Sequence, residues 1–60
     1  MEGERIKLIR TAKGITQQEL ADAVGVSKPM ICQIERGTRT LSLPLAKEIA
    51  KFLKIGVEEL

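Results

Sequence analysis

Apolar residues recur every three or four positions along most of the chain, and short polar stretches marked by glycine break the pattern. Ile6, Ile9 and Ala12 share one helical face and Gly14 follows as a terminating residue, so the spacing predicts a first helix over about 4–13. Thr16 then opens the string TQQE, a capping box in which Thr16 and Glu19 each satisfy a backbone donor of the other's turn. Leu20, Ala21 and Val24 form the apolar face of a second helix, which Gly25 ends. Ser27 is a suitable N-cap for a third, with Lys28 and Pro29 in its first turn. First-turn N–H groups have no intrahelical partner, so the proline there removes no hydrogen bond. Ile31 and Ile34 face inward, and Gly37 stops this helix. Ser42 caps a fourth helix with Pro44 in its first turn and Leu45, Ile49, Phe52 and Leu53 as its buried stripe. Gly56 precedes a last helical turn, VEEL, that ends at Leu60.

Five short helices with brief connections predict an all-α, compact five-helix bundle, and 60 residues suffice for one domain. A chain of that size buries only about 60% of its unfolded surface. With one Phe and no Trp or Tyr, its core must be built from Leu, Ile, Val and Ala. One Cys and no His exclude a disulfide framework and a Cys/His metal cluster, and nothing calls for a cofactor. The lone thiol reads as reduced and intracellular. No apolar run approaches the ~20 residues of a membrane span and no secretory signal is visible, so a cytoplasmic location is expected. Met1 is read as the natural start, while the stop at Leu60 leaves open an N-terminal domain of a longer protein.

The net charge of +2 permits a nucleic-acid partner without requiring one. Its distribution is more informative. From Ser27 to Thr40 the bases are Lys28, Arg36 and Arg39 and the only acid is Glu35, whereas other acids gather at the chain ends and around Glu19 and Asp22. The segment over about 17–36 also has the spacing of a helix-turn-helix. Leu20, Val24, Ile31 and Ile34 are placed to pack two helices together, Ala21 is small at their crossing, and Gly25 suits a tight turn of positive φ.

With the strings ERIKLIR, KGITQQELADAVGVS, ICQIERG and IAKFL…VEEL, the whole chain resembles the lambda-repressor-like family, also called Cro/C1 or XRE-type. The resemblance implies a DNA-binding domain that sets its third helix in the major groove, usually as a symmetric dimer on a palindromic operator. Leu41 stands where proline is frequent, Pro44 where a polar residue is usual, and Lys54 where glycine is frequent.

Ile31 and Ile34 fix the buried face of the third helix, which leaves Ser27, Lys28, Pro29, Cys32, Gln33 and Arg36 outward or at its exposed start. Pro29 and Cys32 suit a thymine methyl, Gln33 can bridge adenine N6 and N7, and Lys28 can reach guanine or a phosphate. Ser27 completes the expected base-contacting set. Gln17 opens the second helix, where free N–H groups and the positive dipole end favour a phosphate, and the resemblance adds its side-chain amide to that contact. Arg36, Thr38, Arg39 and Thr40 are expected to hold the DNA backbone. Plainer readings stand beside these: a tolerated Cys32, Gln33 and Lys28 as polar groups on a wet helix, and ordinary loop chemistry for Thr38 and Thr40. Glu35 should repel phosphates unless paired. Arg10 is the expected partner, supported by a pairing of this kind in the family, and a solvated Glu35 is the alternative.

Sequence-specific binding of double-stranded DNA by a repressor-like transcriptional regulator is the leading expectation. An enzyme finds little support without a His, a phosphate-binding glycine loop or an enclosing carboxylate pair. The competing reading is a protein-interaction module of the same fold, antitoxin-like or coactivator-like. Phe52, Ile55, Val57 and Leu60 supply more apolar surface than so short an end can bury, which with the resemblance predicts a homodimer through the C-terminal segment.

Overall fold

The computed structural model describes residues 2–60; Met1, read above as the natural start, lies outside them. Four α-helices follow one another: α1 (Glu2–Ala12), α2 (Gln17–Val24), α3 (Lys28–Arg36) and α4 (Leu43–Leu53). Among the described residues there is no strand, and no helix is long and apolar enough to cross a membrane. The expected fifth helix is a correction. Val57–Glu59 forms a single 3-10 turn, too short for a helix of its own, held by Gly56 N–H donating to Glu59 Oε2 at 2.9 Å.

The helix starts are set locally. Thr16 and Glu19 make the reciprocal capping box, with Glu19 N–H donating to Thr16 Oγ1 at 3.0 Å and Thr16 N–H to Glu19 Oε1 at 2.8 Å. The Thr16 N–H, and to a lesser extent its hydroxyl, bond the charged carboxylate and so lower the Glu19 pKa from its ordinary value. Ser27 and Ser42 cap α3 and α4 through Met30 and Leu45 N–H groups, with Pro29 and Pro44 in the first turns.

The helix ends repeat one motif. Ile15, Val26, Thr38 and Ile55 N–H groups each reach back to the carbonyls of Arg10, Ala21, Gln33 and Ala50, all at 3.0 Å. The residue before each sits in the left-handed region: Gly14, Gly25, Gly37 and, in α4, Lys54 at φ 60°. Lys54 thus adopts the conformation that glycine would take without strain.

Ile6, Leu20, Ala21, Ile31, Ile34, Leu45, Ile49 and Leu53 form one buried cluster, with Ile15, Val26, Ile55 and Leu60 packed at its edge. α3 packs against both α1 and α2, and α4 against α2. Two expected core positions are corrected. Phe52 is 39% exposed, because the buried face of α4 is completed by Ala46 and Ala50. At 3.6 residues per turn this places Phe52 about a quarter turn from the centre of the stripe. In α1, Ala12 is exposed and Arg10 takes the inner position, beside Ile6 and Gly3. α1 also starts earlier than expected, at Glu2, which brings Gly3 inside the helix.

Gly3 is there for contact. A Cβ on it would overlap the Ile34 carbonyl oxygen and stand 3.0 Å from Glu35 Cα, so α1 and the end of α3 meet backbone to backbone. Gly3→Ala is therefore expected to cost about 1–3 kcal/mol through forced displacement of α1. Lys54→Gly should instead stabilise by about 0.5–1 kcal/mol, the relief of left-handed strain exceeding the added freedom of the unfolded chain. Urea unfolding midpoints check both. A Gly3→Ala protein as stable as the parent would mean that the two helices do not meet there.

Candidate nucleic-acid interface

The interface is built outward from a buried ion pair. Arg10 and Glu35 are only 6% and 5% exposed. Arg10 Nε donates to Glu35 Oε2 at 2.7 Å and Arg10 Nη2 to Glu35 Oε1 at 3.1 Å, a two-pronged arrangement that suits the planar guanidinium. Arg10 Nη1 donates to the Ile15 carbonyl at 2.6 Å, and Gln17 Nε2 donates to Glu35 Oε1 at 2.9 Å. One network therefore joins α1, the following turn, α2 and α3. Among the described residues no buried side-chain nitrogen or oxygen lacks a hydrogen-bond partner.

This burial changes the charge seen from outside. Glu35, the single acid between Ser27 and Thr40, is neutralised by Arg10, so Lys28, Arg36 and Arg39 stand exposed without it. The start of α3 is open. Ser27, Lys28 and Pro29 are exposed, and Ser27 Oγ accepts from Met30 N–H while its own proton stays available. Cys32 and Gln33 lie on the flank of α3, half-buried rather than fully outward. Arg36 is exposed at its far end.

Gln17 carries two separable donors. One amide hydrogen is committed to Glu35, which holds the side chain, while its other hydrogen and the first backbone N–H groups of α2 remain for an anion. The loop after α3 folds back onto the helix. Thr38 donates both its N–H, at 3.0 Å, and its hydroxyl, at 3.1 Å, to the Gln33 carbonyl, so its proton is engaged inside the protein. Arg39 Nη1 donates to Gln33 Oε1 at 3.4 Å. Thr40 is exposed.

Three features escape sequence reasoning: the packing of Gly3, the Gln17–Glu35 bond and the Arg39–Gln33 bond. Gly3 precedes the helix that the spacing predicts, so even its packing leaves no local trace. The other two join side chains whose relative placement depends on helix packing or loop path.

The family model described as helix-turn-helix matches residues 6–60. The chain is 40% identical over 58 residues to an uncharacterised HTH-type transcriptional regulator, YazB of Bacillus subtilis, covering 97% of this chain and 84% of that one. It is 39% identical over 56 residues to another, MJ0272 of Methanocaldococcus jannaschii, covering 93% and 85%. Among solved structures it is similar to the restriction-modification controller protein C.AhdI of Aeromonas hydrophila, with a TM-score of 0.91 and 37% identity over 95% of this chain and 86% of that one.

Removing one partner of the Arg10–Glu35 pair strands a buried charge. Arg10→Ala and Glu35→Ala are each expected to destabilise by about 3 kcal/mol or more, and the double variant by less than their sum. Urea unfolding of the cycle measures the coupling. Additive losses would show that the two groups do not act together.

Proposed function

The chain belongs to the helix-turn-helix family and is a sequence-specific DNA-binding transcriptional regulator, and we propose how its residues divide that work. α3 enters the major groove by its N-terminal end. Ser27, Lys28, Pro29, Cys32 and Gln33 meet base edges there, with Gln33 bridging adenine N6 and N7. Gln17, Arg36 and Thr40 hold phosphates, Gln17 through its remaining amide hydrogen and the free N–H groups that open α2. The burial of Glu35 against Arg10 carries this reading, because it removes the one carboxylate that would oppose phosphates along α3 and the loop after it. Selection of bound duplexes from a random pool tests it, and failure to enrich any sequence at moderate salt would overturn it.

Within this reading Gln33→Ala should cost about 1–3 kcal/mol at one base position and barely alter nonspecific affinity. Arg36→Ala should weaken all sequences alike and flatten the slope of log K against log salt by about 0.9 for each phosphate no longer neutralised. Salt titrations on the selected operator and a scrambled duplex compare the two. Equal weakening of both duplexes by Gln33→Ala would reassign that residue to the backbone.

The operator is read as a palindrome by two chains that meet through their C-terminal segments. Phe52 and Val57 are 39% and 38% exposed, and Ile55 and Leu60, close to them in the chain, are half-buried. So small a patch supports weak association without DNA. Sedimentation on the operator should find two chains per site, with Val57→Asp lowering occupancy of the second. One chain per site at saturation would refute the pairing.

A further inference from the structure

We infer that Arg39 is a positioning residue for Gln33, fixing which way its amide faces and thereby sharpening the choice of base; this rests on the reading of Gln33 as a base-contacting residue. A free glutamine amide can turn over, exchanging its carbonyl oxygen and its NH2 group, and only one of the two arrangements matches adenine. Arg39 biases that choice. A guanidinium has donors and no acceptor, so the group facing Arg39 Nη1 at 3.4 Å must be Gln33 Oε1 and cannot be Nε2. Oε1 has two lone pairs. Arg39 takes one, and the other remains beside the Nε2 hydrogen, which together form the acceptor–donor edge that adenine N6 and N7 require.

The loop is built to bring Arg39 back. Gly37 turns the chain at φ 81°, and Thr38 is tied to the Gln33 carbonyl by both its N–H and its hydroxyl. The first three residues after α3 are thus folded over Gln33, and Arg39 is the one whose side chain reaches that residue's own amide. The other helix ends place Ile15, Val26 and Ile55 at the position Thr38 holds, and those pack against the core. Here the corresponding residue is polar and exposed, and the loop it anchors stays on the outer surface. The sequence alone points to a phosphate for Arg39, independent of Gln33. The bond between them makes the two residues a unit, so removal of either should disturb the same base position.

The test uses the operator selected from random duplexes and a set of single base-pair replacements, with affinities at fixed salt for the parent chain, Gln33→Ala, Arg39→Met and the double variant. Gln33→Ala identifies the base pair that Gln33 reads as the one whose replacement it no longer senses. At that pair Arg39→Met is expected to lower the discrimination ratio about tenfold, and to lower it no further when Gln33 is already Ala. A residue that merely neutralises a phosphate would weaken every duplex in parallel and leave that ratio unchanged. If Arg39→Met does so while Gln33→Ala loses discrimination, the positioning role is overturned and the reading of Gln33 stands. If Gln33→Ala itself loses no discrimination, that reading fails and takes the positioning role with it. Arg39 is exposed, so its variant should unfold at the parent's midpoint, and binding differences then report on the interface.

Discussion

Arg10 and Glu35 form a buried, two-pronged ion pair that ties α1 to α3 alongside the apolar core the four helices share. An ion pair taken out of water is costly, and apolar residues of similar volume often stabilise as well or better. What the pair supplies is geometry. The Arg10 guanidinium grips both oxygens of Glu35 and the Ile15 carbonyl, so α1, its closing turn and the end of α3 cannot slide independently. Gly3 works on the same seam, allowing α1 to touch the backbone of α3 beside Glu35. Packing and polar bonding thus fix the same contact.

That contact also decides the electrostatics of the DNA-facing side. Glu35 lies on α3 between Ile34, which is buried, and Arg36, which is exposed. Rotated slightly outward, it would set a carboxylate next to the phosphates that Arg36 is proposed to meet. Turned inward and paired, it orients Gln17 instead, so a residue that would oppose binding becomes a support for the helix that opens the motif. Structural and functional demands on one side chain are met by a single rotation about the α3 axis.

The four helix ends show how a repeated local device can serve different purposes. After α1, α2 and α4 the reversing chain brings an apolar residue to the core, closing a small hydrophobic cluster with few residues. After α3 it brings Thr38, and the loop remains outside beside the basic face. Lys54 shows the limit of the device: the backbone takes the left-handed turn even where the side chain makes it costly, because Ile55 must reach the core.

Local chemistry makes much of this legible in the string of residues. Thr16, Ser27 and Ser42 mark helix starts, three of the four left-handed closing residues are glycine, and the three-residue spacing of Ile31 and Ile34 sets the inner face of α3. Each of these depends on neighbours a few positions away, and such neighbours are visible in a string. Rotational placement against distant helices is not. Phe52 lies outside the core, which Ala46 and Ala50 complete on α4, Arg10 takes the inner place expected of Ala12 because Glu35 of α3 meets it there, and the last segment closes as one 3-10 turn against α4. The partners of single polar atoms are hidden for the same reason. A string names Gln17 and Gln33 as amides, but the chain's path through space decides that one is held by Glu35 and the other by Arg39.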